Sequence, residues 1–274
     1  MKFAAGIVTY NPEINCLQDN IEAIKKQISI IYIIDNDSNN IHEIETLVSN
    51  NVKCKLIKLN SNKGIAKALN IICQNAYDDG YEWVLTLDQD SVCPSNMIEE
   101  YKKYLELEKC AMLTASIFDR SRNLITTSME KKYVLVDKCI TSGTLMNLNA
   151  WKEIGGFDEY IFIDGVDFDI CYRINKAKYK IYRINSVILS HEIGKSEYKK
   201  IFKWKVIVMH HSPFRKYYIA RNNIYLAKKG MWNLLRGCLK NLKLIVLTLL
   251  YEKDKITKVK KIIKGTIDGF NSKI

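Results

Sequence analysis

Over the first ninety residues the spacing of apolar positions switches back and forth between strand and helix periods. Lys2–Thr9 is a short apolar run closed by polar residues, which predicts a buried strand. Leu17, Ile21, Ile24 and Ile28 then recur at helical spacing. Ile30–Ile34 is a dense β-branched run, stopped abruptly by Asp35–Asn40. Ile41, Ile44, Leu47 and Val48 predict a second helix, Val52–Leu59 a third strand, Ile65–Ala76 a third helix and Trp83–Leu87 a fourth strand. This β-α-β-α-β-α-β order places the chain in the α/β class, with a mostly parallel central sheet and helices on both faces. Further strands are expected at Cys110–Ser116, Tyr133–Ile140, Gly143–Asn147 and Tyr179–Leu189, with short helices near Ala150–Ile154 and Phe168–Lys176. Beyond about residue 195 the pattern turns helical.

Each of the first four strands ends in a polar cluster: Thr9-Tyr10-Asn11, Asp35–Asn40, Asn60–Gly64 and Asp88–Ser91. Ligands of open α/β sheets bind beyond the carboxyl ends of the strands, so the four clusters predict a binding crevice. Asp88-Gln89-Asp90 puts two carboxylates on a turning backbone, where both can approach one hard cation such as Mg2+ or Mn2+. Asp164, Asp167 and Asp169 form a second acidic cluster ahead of the helical Ile170–Arg173. Carboxylates there suit a helix N-terminus or a general base. P-loop, G-x-G-x-x-G, G-x-S-x-G and H-E-x-x-H patterns are all absent, which removes the common ATPase, dinucleotide, serine-hydrolase and zinc-protease signatures.

Charge divides the chain of 274 residues, whose 47% apolar content supports a sizeable core. Residues 1–194 carry 22 Lys and Arg against 26 Asp and Glu, whereas residues 195–274 carry 20 against 4. A uniformly basic nucleic-acid coat is excluded, and a localised anionic partner is implied. Trp232, Leu234, Leu235, Leu239, Leu242, Ile245 and Val246 predict an apolar helix face interleaved with Arg236, Lys240 and Lys243, and six further lysines follow between 253 and 264. Such a helix suits an anionic bilayer surface, or a packed helix with a solvated basic face. No apolar run reaches the roughly 18–20 residues of a membrane span, and the N-terminus lacks a signal-peptide pattern. A cytoplasmic chain, peripheral at the inner face of the plasma membrane, is expected. Eight cysteines show neither C-x-x-C nor zinc spacing and read as reduced, mostly buried residues.

Taken in order, Ile7–Pro12, Ile34–Ser38, Asn62–Asn70, Leu87–Ser91, Ser142-Gly143-Thr144, Gly155–Glu159, Val166-Asp167 and His191-x-x-Gly194-x-Ser196 resemble the family 2 inverting glycosyltransferases. Leu87–Ser91 and Ser212–Tyr218 with Arg221-Asn222 resemble the bacterial rhamnosyltransferase branch of that family. The resemblance covers about residues 3–226. It implies a Rossmann-like nucleotide-diphospho-sugar transferase fold of GT-A type over residues 1–226, with a nucleotide-binding half at 1–110 and an acceptor and catalytic half at 111–226. Residues 227–274 would be a basic amphipathic helical tail.

Residue by residue, the resemblance implies that Thr9, Tyr10 and Asn11 line the base and ribose pocket and that Asp35 and Asp37 meet base and ribose. Asn62 and Gly64 would shape the loop under the nucleotide. Asp88 and Asp90 would hold Mg2+ or Mn2+, with Asp88 also on the nucleotide and His191 as a further metal or diphosphate ligand. Arg215 and Arg221 fall in a lid segment suited to diphosphate. Asp167 matches the catalytic base, although many members place Glu before it and this chain has Val166. Leu69-Asn70 stands where the family commonly has Arg-Asn, so an arginine contact to the nucleotide is not expected there. The implied reaction moves a sugar, either rhamnose from dTDP-L-rhamnose or another UDP- or dTDP-hexose, to a hydroxyl of a polyprenyl-diphosphate-linked glycan. Two other readings compete. A sugar-nucleotide pyrophosphorylase would need a Gly-rich loop where Thr9-Tyr10-Asn11-Pro12 stands, and a non-catalytic carbohydrate or membrane-binding module would bind donor without turnover. Nucleic acid does not suit an acidic crevice.

Overall fold

A computed structural model of the chain describes residues 2–119, 124–125, 131–191, 197–201 and 204–274, with backbone alone at 119, 124, 125, 191, 200, 201 and 204. The chain divides into two compact units, Met1–Tyr160 with Ile170–Glu192 and Ile161–Asp169 with Ile193–Ile274.

The first unit opens with the expected alternation: β1 (Phe3–Thr9), α1 (Ile14–Ile24), β2 (Ile30–Asp35), α2 (Ile41–Ser49), β3 (Cys54–Lys58), α3 (Ile65–Asp78) and β4 (Trp83–Asp88). It continues through α4 (Met97–Lys102), β5 (Cys110–Asp119), β6 (Leu124–Ile125), β7 (Tyr133–Leu135), β8 (Thr144–Asn147), α5 (Leu148–Glu153), most of α6 (Val166–Lys176) and β9 (Lys180–His191). The sheet runs β3-β2-β1-β4-β8-β5-β9-β7, with β6 on β5. β3, β2, β1 and β4 are parallel, as are β5 and β9, while β8 lies antiparallel between β4 and β5. Thr9 pairs with Asp35 and Val8 with Asp88, so the strands end almost flush and their polar loops leave from one edge.

Alternation along the strands sorts side chains between the two faces. Phe3, Ala5, Ile7, Ile31, Ile33 and Leu85 join one core with Leu17 and Ile21 of α1, Ile44 of α2 and Tyr101 of α4. On the other face α3 lies so close to β1 that a Cβ on Gly6 would stand 2.2 Å from Ile72. The Tyr32 hydroxyl also reaches that side, donating to Asp79 at 2.5 Å. Three expectations need correction. Val52 is fully exposed and β3 begins only at Cys54. The strand expected over Tyr133–Ile140 ends at Leu135. Helix α4 was not foreseen, because its single turn and a half carries too short an apolar pattern.

The second unit also departs from expectation just after residue 195, where an antiparallel hairpin of β10 (Glu197–Ile201) and β11 (Trp204–Val208) precedes any helix. Then come α7 (Pro213–Lys228), α8 (Leu234–Tyr251) and α9 (Lys255–Asn271). Ser212 caps α7, its Oγ accepting the Arg215 N–H at 3.3 Å, with Pro213 in the first turn. The basic tail is therefore two helices, broken at Glu252–Asp254, where Asp254 is left-handed at φ 54°. Both pack with α7. A Cβ on Gly265 would lie 2.2 Å from the Tyr217 carbonyl oxygen, and one on Gly269 2.6 Å from that of Arg221, so the α7 and α9 backbones touch. Glu252 is buried between Lys216 and Lys258. No helix among the described residues is long and apolar enough to cross a membrane.

Candidate functional site

The strand ends of the first unit form one hydrogen-bonded framework. At the end of β1 the buried Thr9 hydroxyl donates to Asp35 Oδ1 at 3.0 Å, while the Ser38 N–H donates to Asp35 Oδ2 at 3.0 Å. Ser38 Oγ accepts the Asn11 N–H at 2.8 Å, and Asn11 Oδ1 accepts the Asn39 N–H at 2.7 Å. Asn11 and Asp37 hold positive φ values of 46° and 72°, which short polar side chains tolerate better than most. The third loop joins through Asn36 Oδ1, which accepts the Lys63 N–H at 2.7 Å. Asn62 Oδ1 accepts the Gly64 N–H at 3.0 Å, and Gly64, at φ 85°, turns the chain into α3.

The fourth strand end is held as closely. Asn20 of α1 donates to the Asp88 carbonyl at 2.7 Å, and Ser142 Oγ accepts the Asp88 N–H at 3.0 Å. Ser142 also meets the Ser91 hydroxyl at 2.8 Å. Gln89 ties β4 to β1, accepting the Tyr10 N–H at 2.8 Å and donating to the Tyr10 carbonyl at 3.4 Å. Next to Ser142, the Gly143 N–H donates to the Thr86 carbonyl at 2.8 Å. Gly143 has φ 72°, and a Cβ there would press on Leu189 at 2.8 Å.

The structure therefore brings Thr9, Tyr10, Asn11, Asp35, Asp37, Asn62, Gly64, Asp88 and Asp90 to one edge of the sheet. It also sorts them. Thr9 and Asp35 are buried inside the framework, whereas Tyr10, Asn11 and Asp37 are exposed and Asn62, Asp88 and Asp90 half-buried. The sequence reading missed Asn20 and named Gln89 and Ser142 only as parts of motifs, without the role shown here: their polar groups hold the turns in place. Asn70, of the Leu69-Asn70 pair that stands in place of Arg-Asn, clamps the Gly155–Glu159 loop. Its amide bonds the Phe157 N–H at 2.7 Å and carbonyl at 2.9 Å, and accepts from the Trp151 indole at 3.2 Å.

The second unit holds the other acidic cluster. Asp164, at φ 60°, takes Arg215 in a bidentate pair, with Nε 2.9 Å from Oδ2 and Nη2 2.8 Å from Oδ1. Asn222 braces the turn by donating to the carbonyls of Ile163 at 2.8 Å and Asp164 at 2.6 Å. Asp167 is half-buried in the first turn of α6. Two residues on, Asp169 is buried in an ion pair with Lys229. Arg221 is also buried, bonding Asn222 Oδ1 at 3.0 Å through Nη2, with its guanidinium 4.7 Å from the Tyr218 ring centre. Phe162 stacks on Tyr218 at 4.9 Å with Phe214 edge-on, an aromatic cluster the sequence reading did not single out. Burial and the neighbouring Arg215 push the His211 imidazole down to about 4.

His191 ends β9 opposite Asp119, and its side chain lies outside the described residues, as do Gly194 and Ser196. Among the described residues no three His, Cys, Asp or Glu side chains converge as a metal site. Asp88 and Asp90 nonetheless fit a hard cation that draws its remaining ligands from phosphate and water.

A family model described as Glycosyl transferase family 2 matches residues 5–177. The dTDP-rhamnosyl transferase RfbF of Shigella flexneri is 29% identical over 97% of this chain and 94% of its own length. Rhamnosyltransferase WbbL of Escherichia coli (strain K12) is 25% identical, covering 54% of this chain and 64% of that protein. Among solved structures, the mannosyltransferase PcManGT from Pyrobaculum calidifontis, in complex with GDP-Man and Mn2+, superposes with a TM-score of 0.60 at 13% identity, covering 100% of this chain and 76% of its own.

Proposed function

This chain belongs to glycosyl transferase family 2, its first unit has the GT-A-type fold, and we propose that it moves rhamnose from dTDP-L-rhamnose to a hydroxyl of a cell-surface polysaccharide precursor. The observation that carries this reading is the likeness to a dTDP-rhamnosyl transferase along nearly the whole chain. The strand-end framework supports it chemically, because it presents oxygen and amide groups on one edge around two carboxylates.

In this reading Tyr10, Asn11, Asp37, Asn62, Gly64 and Asp88 meet the nucleotide, while Thr9 and Asp35 hold the loops that present them. Asp88 and Asp90 would hold Mg2+ or Mn2+, with His191 as a further ligand, and a cation bound there would supply positive charge against the departing diphosphate. Arg215 and Arg221 serve the diphosphate from the lid segment, and to do so Arg215 exchanges its Asp164 partner and the buried Arg221 leaves Asn222. Asp167 is the general base. The acceptor oxygen bonds to the anomeric carbon as the bond to the dTDP oxygen breaks, the hydroxyl proton passes to Asp167, and the single displacement inverts the centre. We place the reaction on the cytoplasmic side of the plasma membrane, with a polyprenyl-diphosphate-linked acceptor and the basic C-terminal region on the anionic lipid.

A thermal-shift screen of dTDP-rhamnose, UDP-hexoses and GDP-mannose, each with Mg2+ or Mn2+, tests the donor. The largest stabilisation by dTDP-rhamnose, lost with a chelator, is the expected result. Preference for a UDP-hexose overturns the rhamnose assignment.

A further inference from the structure

Helices α8 and α9 each carry a packed face and, opposite it, an apolar stripe that the fold leaves exposed. In α8 the packed side is Gly237, Asn241, Leu247 and Thr248. At helical spacing on the opposite side, Leu235, Leu239, Leu242, Val246 and Leu249 are 41–68% exposed. The same arrangement recurs in α9. There Lys258, Ile262, Gly265 and Gly269 are buried, while Ile256, Ile263, Ile267 and Phe270 are 43–74% exposed. Water-facing helix surfaces are ordinarily polar, and contiguous apolar exposure marks a contact with protein or lipid.

The charges around these stripes narrow the choice. Arg236, Lys240 and Lys243 flank the α8 stripe, and that helix contains no acidic residue. Lys260, Lys261 and Lys264 border the α9 stripe, whose one acid, Asp268, is engaged by Tyr217 and Lys264. A second copy docking through these faces would bring two strongly basic surfaces together, which like-charge repulsion opposes. Anionic headgroups above an apolar layer complement both features at once. The helices are not long and apolar enough to span, so they would lie in the interface.

We propose that the outward faces of α8 and α9 form a monotopic docking surface for an anionic bilayer, with the aliphatic stripes entering the boundary between headgroups and acyl chains and the flanking lysines on the headgroups. This deepens the reading of a lipid-linked acceptor and rests on it only for its purpose, not for its physics.

The test is flotation of the full chain with vesicles of mixed phosphatidylglycerol and phosphatidylcholine, and of phosphatidylcholine alone, at low and high salt. Binding to the anionic vesicles should survive high salt in part. It should fall about tenfold or more when Leu239→Ser, Leu242→Ser and Val246→Ser are combined, since each loses inserted apolar area. These side chains lie off the packed side, so an unchanged melting temperature confirms an intact fold. Equal flotation of parent and variant, with full release of both by salt, would refute insertion. So would a parent dimer that the variant converts to monomer without any vesicle binding. Stabilisation by dTDP-rhamnose, measured on the same samples, separates the two proposals. Retained donor binding without flotation sinks only the docking surface, and flotation without donor binding sinks only the donor assignment.

Discussion

Replacing Ser142 with alanine tests whether the Asp88–Ser91 turn is held as its hydrogen bonds indicate. Ser142 is 1% exposed, and its Oγ accepts the Asp88 N–H at 3.0 Å while meeting Ser91 Oγ at 2.8 Å. Ser142→Ala removes both contacts. A buried polar group deprived of its partner costs about 1–3 kcal/mol, and an ordinary hydrogen bond contributes about 1, so a combined loss of about 2–4 kcal/mol follows. For a chain of this size each kcal/mol moves the melting temperature by about 2–4 °C, which predicts a fall of about 4–16 °C. Asn20 still holds the Asp88 carbonyl at 2.7 Å, and Gln89 still bridges to Tyr10, so the turn is loosened rather than lost. Displaced carboxylates lower kcat/KM for the donor on the order of tenfold. Ser142→Cys, of similar shape but weaker as a hydrogen-bonding group, should fall between. Melting curves and dTDP release from dTDP-rhamnose measure the two effects. Unchanged melting together with unchanged kcat/KM in Ser142→Ala would show that this hydroxyl does not organise the turn.

Three further outcomes are expected. Asp167→Asn should lower kcat by about 10²–10⁴ while leaving melting and donor stabilisation intact, and near-normal turnover would remove Asp167 as the base. Glu252→Gln leaves two buried ammonium groups without their counter-charge, for a cost of about 3–5 kcal/mol; a melting temperature equal to that of the parent would contradict it. His211 is held neutral in the folded chain, its value down to about 4 from 6.5. Its contribution to stability is complete above 6.5 and is lost progressively as the pH falls from there toward 4. Melting temperatures across that window should drop in the parent and flatten in His211→Gln, and parallel curves would show that another group carries the acid sensitivity.

Strands β1, β2 and β4 of the parallel half were legible because they are buried on both faces, which leaves unbroken apolar runs such as Ile30–Ile34 that end sharply in Asp35–Asn40. Each of those strand ends was also legible as a polar cluster. What each polar residue does there was not. Asp35 reads as a ligand-facing carboxylate, yet it is buried with a hydrogen bond on each oxygen, because Thr9 and Ser38 come to it from two different loops. No local pattern encodes that meeting. Nor did local pattern reveal the pairing of Asp164 with Arg215, 51 positions apart. The β10–β11 hairpin was obscured by its charge. Lys199, Lys200 and Lys205 fill alternate and neighbouring positions of a two-stranded ribbon whose polar residues resemble the basic helices that follow. The faces of α8 were half-seen, since its apolar content was plain, but only packing tells which side is spent inside; the segment of α9 was read only for its lysines.

The ion pairs of the second unit bear on how such enzymes diversify. Asp164 and Asp169 come from the short segment around residue 165, and their partners Arg215 and Lys229 come from the far side of the chain order. The glycines of α9 sit directly on α7 carbonyls. Exchange of C-terminal segments between relatives therefore obeys a compatibility rule. A crossover placed between α7 and α8 would seat a foreign helix on a backbone shaped for glycine. One placed before α7 works only if the incoming segment brings cations that match Asp164 and Asp169. Recombinants should survive in proportion to how well those two carboxylates and their cations are inherited together, so this small acidic turn acts as a lock on which C-terminal helices can follow it.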